Sequence, residues 1–177
     1  MKSPEQVNVT DLAGNIIDVV SRDAAEGDNY ITENVLVFVF NSLGKLWTHK
    51  RPEDKRHYPG LWDISACGGV ISGETPLEAA RREQGEEMGF TSDVEHVSTF
   101  LNTFPTEDGT PRRRLSHVFL GISDLEPVVN PDAAAFAGIP HHEVHQTVED
   151  NSAAYVPSFL AEYEQVYNHY LQASKRT

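Results

Sequence analysis

A chain of 177 residues, 39% hydrophobic and 23% charged, has the size and composition of one globular domain, which sets aside fibrous and disordered classes. A formal net charge of −13 disfavours general affinity for nucleic acid or anionic membranes, and no apolar run reaches the ~18–20 residues of a bilayer span. The opening residues lack a signal peptide's apolar segment and Cys67 is the single cysteine, so the expected location is cytoplasmic, with no internal disulfide.

In chain order, residues 8–12 and 16–20 flank Ala13-Gly14-Asn15 and read as an N-terminal β-hairpin within about 7–22. The run Val35-Leu36-Val37-Phe38-Val39-Phe40 is a buried strand, and Ser42-Leu43-Gly44-Lys45 turns it into a return strand over 46–50. Pro52 cannot donate to a ladder, so that strand ends near Arg51. A polar loop leads to a short strand over 61–66. The strongest helix spans 76–88, with Thr75 as N-cap, Pro76 at the first helical position, Glu78 completing a capping box and Gly89 ending it. Strands follow over 94–104 and 115–122, joined by the turn Glu107-Asp108-Gly109-Thr110-Pro111. A closing helix over about 158–172 carries Phe159, Tyr163, Val166, Tyr167 and Tyr170 at helical spacing, a core-facing stripe. The pattern predicts an α+β fold, helices packed on a central mixed β-sheet.

Charge is unevenly distributed. Of 14 Lys and Arg residues, Lys45, Lys50, Arg51, Lys55 and Arg56 fall close together, and Arg112-Arg113-Arg114 form a run. Cations gathered near one place in an acidic protein suit a small anion. On the helix, residues spaced 100° apart put Glu83, Glu86 and Glu87 within about 100° of arc. Three carboxylates so crowded repel unless a positive charge sits among them, and Mg²⁺ is the natural occupant, being hard and oxygen-preferring.

The segment Gly68–Phe90 resembles the box of the Nudix hydrolase superfamily, Gly-x5-Glu-x7-Arg-Glu-U-x-Glu-Glu-x-Gly-U, where U is a bulky apolar residue. Gly68, Glu74, Arg82, Glu83, Glu86, Glu87, Gly89 and Phe90 meet it. Gln84 departs from it, standing where an apolar residue belongs on the inner helix face, so it needs a hydrogen-bond partner. Outside the box, 40–46, Lys50-Arg51 and Tyr58-Pro59-Gly60-Leu61-Trp62 resemble a Nudix branch that holds isopentenyl-diphosphate isomerases and bacterial hydrolases of nucleoside diphosphates and their relatives.

The resemblance implies an α/β/α sandwich over residues 1–177 and metal-assisted attack of water on a phosphoanhydride of a small molecule. Glu83, Glu86 and Glu87 would bind Mg²⁺ (or Mn²⁺), and one of them would also activate the water. Arg82 and Glu74 would pair to fix the glycine loop to the helix. Arg51, with Lys50 or Lys55, would hold the non-reacting phosphate, and Asp132 is the acid available as a general base after the core strands. Family members often dimerise. Trp47, Trp62 and Phe104 are available to stack a base but read first as core, and His141, His142, Glu143 and His145 read as surface. The isomerase alternative rests on Cys67, placed where those enzymes carry a catalytic cysteine. Against it, Gly69 and the vicinity of Thr32 lack the histidines those enzymes use for metal. A non-catalytic binder would have no reason to keep all three glutamates.

Overall fold

The computed structural model describes residues 5–27, 30–104 and 111–173. Among them, nine strands form one sheet whose centre is β3 (Ile31–Phe40). On one side β3 runs parallel to β8 (Arg112–Ile122), which pairs antiparallel with β7 (Val94–Phe104). On the other side three strands share its length: β1 (Gln6–Thr10) at its start, β6 (Ala66–Gly69) in the middle and β4 (Lys45–Lys50) at its end. The strand β2 (Ile16–Ser21) extends the sheet beyond β1, while β5 (Trp62–Asp63) and β9 (Ala135–Pro140) flank β4. Parallel and antiparallel pairs together make the sheet mixed.

The unbroken apolar run of β3 follows from burial on both faces. Val35, Val37 and Val39 face helix α2 (Pro76–Met88) and meet Ala79, Ala80 and Met88. Leu36, Phe38 and Phe40 face the opposite layer, built by α3 (Val144–Asp150) and α4 (Phe159–Ala173), and meet Val148, Phe159, Tyr163 and Val166. No helix among the described residues is long and apolar enough to cross a membrane.

Helix α2 has the expected ends. The Thr75 hydroxyl accepts the Glu78 N–H at 3.3 Å, the Glu78 carboxylate accepts the Thr75 N–H at 2.7 Å, and Gly89 closes the helix at φ 78°. Gln84 is fully buried and satisfied by one residue: its amide donates to Ser92 Oγ at 2.8 Å and its carbonyl accepts the Ser92 N–H at 2.6 Å.

Elsewhere the elements differ from the sequence reading. The predicted strand over 61–66 is two strands, because the chain crosses from β4 to β3 there: Asp63 is opposite His49, and Ala66 is opposite Val37. The Ser65 hydroxyl bridges that crossing, donating to the Trp47 carbonyl at 2.6 Å and accepting the Val39 N–H at 2.8 Å. Strand β8 starts at Arg112, not at residue 115, and residues 107–110 of the predicted turn lie outside the described residues. Helix α1 (Arg22–Gly27), α3 and β9 were not predicted. The Ala135–Pro140 segment has few β-branched residues, and its strand character comes from pairing along all of β4.

Candidate active site

Among the described residues strand β6 pairs only with β3, and glutamates of α2 reach its open side. A Cβ on Gly68 would stand 1.9 Å from Glu83 Oε1, so the missing side chain is what admits Glu83. One residue earlier, the Cys67 N–H donates to Glu87 Oε2 at 2.8 Å. Glu83 and Glu87 are both buried, 7% and 6% exposed, one turn apart. Burial and the neighbouring Glu87 charge push the Glu83 carboxyl up to about 8, and burial, with the Asp63 charge, pushes Glu87 up to about 8. Glu86 is different: its side chain is half exposed and accepts from Arg82 Nη1 at 3.3 Å.

Arg82 locks the glycine loop to the helix. Its guanidinium donates to both Glu74 oxygens, at 3.2 and 2.7 Å, to the Gly69 carbonyl at 2.9 Å and to Glu83 at 2.6 Å. Glu74 in turn accepts the Ile71 N–H at 2.6 Å. The pairing of Arg82 with Glu74 is therefore present, and it orients Glu83 as well.

Glu83 and Glu87 open into a cavity of roughly 320 Å³. Arg51 and Lys55 line it, and Lys50 and Asp132 do not. Arg51 is held by Asp63 at 2.9 Å and by the His57 carbonyl at 3.1 Å. Lys55 ties to Asp132 at 3.0 Å, so the expected general base is a half-exposed partner of the lysine, outside the cavity lining. Behind Glu87 lies His49, buried and with its pKa lowered mainly by that burial. Its Nδ1–H donates to the Ile64 carbonyl at 2.7 Å, which leaves Nε2 without a hydrogen-bond partner 3.9 Å from Glu87 Oε1.

Asp63, Glu162 and Arg22, not singled out for the site, also line the cavity, as do Arg112 and Arg114 of the cationic run read as suited to an anion. Glu162 is buried on α4, accepts from Asn102 at 3.0 Å, and is pushed up to about 8 by burial with the Asp63 charge. The period-two alternation of a strand was the available signal for Arg112 and Arg114. Phe104 reaches the cavity, whereas Trp47 and Trp62 pack against the two cores. His142 pairs with Glu143 at 3.4 Å, and His141 packs on Tyr167 and Tyr170. Among the described residues, no three His, Cys, Asp or Glu side chains converge as a ready-made metal site. The donor chemistry nevertheless fits a hard cation at Glu83 and Glu87: two buried carboxylates one helical turn apart, both still raised although Arg82 pairs with Glu83.

A family model for the NUDIX domain matches residues 31–159. The chain belongs to the Nudix family. Among its relatives, an isopentenyl-diphosphate Delta-isomerase from Serratia proteamaculans is 30% identical over 130 residues, 73% of each chain. For another isomerase of that name, from Photorhabdus laumondii, the matched share falls to 54% of each chain. An uncharacterized Nudix hydrolase from Listeria innocua is 45% identical over 63 residues, 36% of this chain and 37% of that one. In fold, this Nudix chain is similar to a crystal structure from Deinococcus radiodurans, with TM-score 0.67 and 24% identity, over 82% of this chain and 90% of that one.

Proposed function

We propose that this Nudix protein hydrolyses a phosphoanhydride bond in a nucleoside di- or triphosphate or another diphosphate-linked small molecule, by attack of water on phosphorus. The observation that carries the reading is the pair of buried carboxylates, Glu83 and Glu87, opening into a cavity that also presents Arg51 and Lys55. Glu83 and Glu87 would hold a divalent cation, Mg²⁺ or Mn²⁺, with Glu86 joining them once it leaves Arg82. When bound, the cation supplies charge neutralisation at phosphate and a more acidic water.

The chain's own residues do the rest. Arg82 and the Cys67 N–H hold Glu83 and Glu87 in place, limiting the reorganisation needed at the moment of reaction. Arg51, fixed by Asp63 and the His57 carbonyl, presents its guanidinium to the phosphate that does not react. Lys55, tethered by Asp132, adds a second cation.

The names of the isomerase relatives favour a second reading, isomerisation of isopentenyl diphosphate, and Cys67 does line the cavity. Two observations weigh against it. Burial and the nearby Asp63 and Glu87 charges push the Cys67 thiol well above its usual value, and Thr32 is engaged by Arg114 at 2.9 Å rather than replaced by a metal-binding histidine. A phosphate-release screen over nucleoside di- and triphosphates, nucleotide sugars, dinucleotides and prenyl diphosphates, with and without Mg²⁺, decides between them. Mg²⁺-dependent release supports hydrolysis; rearrangement of isopentenyl diphosphate without release overturns it.

A further inference from the structure

The cavity has a second charged region that the hydrolytic scheme leaves idle. Strand β8 lies parallel to β3 in a register that sets Arg114 opposite Thr32, while Cys67, beside the glutamates, is opposite Leu36. Four residues of β3 separate those positions, about 13 Å along the strand. Asn34 and Leu36 line the cavity between them. The glutamates thus mark one end of the cavity and Arg112 and Arg114 the other, with Arg22 between them. Arg22 reaches in from α1: a Cβ on Gly69 would stand 2.6 Å from its Nη2.

Arg114 and Arg112 are poorly compensated. Arg114 is part-buried and donates to the Thr32 hydroxyl at 2.9 Å, and among the described residues no carboxylate lies within ion-pair distance of it. Burial, then the like charges of Arg112 and Arg22, pull its pKa down to about 10. Arg112 has 17% of its side chain exposed, a buried Nε without a partner, and a 2.7 Å contact to His57 Nε2. The nearest acid, Glu26, is 3.6 Å from Arg112 and is shared with Arg56 and His57. Arg22 has Glu5 at 3.0 Å, Arg112 shares Glu26, and Arg114 has no acid within ion-pair distance among the described residues. Three guanidinium groups that keep their charge with few counter-ions, on the wall of an open cavity, form a receptor for an oxyanion.

We infer that Arg22, Arg112 and Arg114 form a second anion subsite, and that the substrate carries a phosphate group at the end of the molecule opposite its scissile anhydride. The subsite deepens the proposed hydrolysis and rests on it for the word substrate; its capacity to bind phosphate does not. Arg51 and Lys55 already serve the glutamate end, so the far arginines are not needed for the reacting phosphates.

Calorimetric titration of the full chain with inorganic phosphate, in EDTA, tests the subsite without any metal. Wild type and Glu87→Gln are expected to bind phosphate alike. Arg112→Gln, Arg114→Gln and Arg22→Gln are each expected to weaken it about tenfold or more, the scale of a lost charge-assisted hydrogen bond. Arg22 is 42% exposed and is neutralised without touching the core, and Arg114→Lys, which keeps the charge, should recover part of the loss. Acetate should bind at least about tenfold more weakly than phosphate, because it offers fewer oxygens to the three guanidinium groups.

The subsite is overturned if phosphate fails to bind wild type, or if the arginine variants match wild type. Loss of binding in Arg51→Gln, with Arg114→Gln unaffected, would place the phosphate at the glutamate end instead and overturn the subsite. Acetate binding as tightly as phosphate would overturn the phosphate assignment. If the phosphate-release screen finds no hydrolysis while the arginine-dependent binding persists, the hydrolytic reading fails and the subsite stands.

Discussion

Helix α2 and strand β8 each carry three like charges close together, Glu83, Glu86 and Glu87 on one and Arg112, Arg113 and Arg114 on the other, and the fold sorts them by different periods. The helix turns Glu83 and Glu87, four residues apart, toward the cavity and leaves Glu86 at the surface. The strand alternates, so Arg112 and Arg114 face the cavity while Arg113 lines a separate surface hollow beside Thr10, Tyr30 and Ile31. A charge run in sequence therefore says little about its target until the period of its element is known. Two of three carboxylates and two of three arginines meet in one cavity.

The sharpest test of that sorting is Glu87→Gln. Turnover in the Mg²⁺-dependent assay is expected to fall by more than about 100-fold, beyond the 10–100-fold typical of residues that merely support metal ligands. Glu86→Gln should cost less, since Glu86 must first leave Arg82; an equal loss in kcat would show that the exposed glutamate is as engaged as the buried one. Gly68→Ala comes next. Its added methyl would collide with the Glu83 carboxylate, and Mg²⁺ titration should show affinity lowered by about 10–100-fold.

Gln84→Leu addresses packing. It leaves the Ser92 N–H and hydroxyl without their partner, and urea unfolding should show a loss of about 1–3 kcal/mol. A pH slope addresses the buried acids. Glu162 is pushed up to about 8 in the folded chain from a carboxyl's ordinary value near 4.5, so the folded state binds its proton more tightly. Its contribution is complete below about pH 4.5 and is lost as pH rises toward 8. The melting temperature of metal-free protein should fall across that window, and Glu162→Gln should remove part of the slope, the rest belonging to Glu83 and Glu87, which are raised to the same value.

Helix α2 was legible because its signals are local. The Thr75–Glu78 box, Pro76 and Gly89 lie within the element they delimit, and the glutamate spacing depends on helical pitch alone. The buried run of β3 was legible for the same reason. The arginine run was visible, but neither which of its members face the cavity nor the arrival of Arg22 was. Thr32, the partner of Arg114, is 82 residues away, and β8 begins three residues earlier than its apolar pattern, on the arginines themselves. Glu162 was hidden differently, as a polar position next to the apolar stripe of α4 whose surroundings come from Asn102 and Asp63. The split of β5 from β6 depends on the Ser65 hydroxyl reaching Trp47 and Val39, a contact with no signature in the 61–66 segment.

The self-contained closure of α2 has an evolutionary corollary. Both its ends are fastened by its own neighbours, and Arg82 ties it to the adjoining glycine strand, so the acidic pair keeps its station whatever the chain does between Arg51 and Leu61. Exchanging that 51–61 loop for one of another length would change which molecules fit while sparing the anchored helix. Such a scaffold can diversify its diet without rebuilding its teeth.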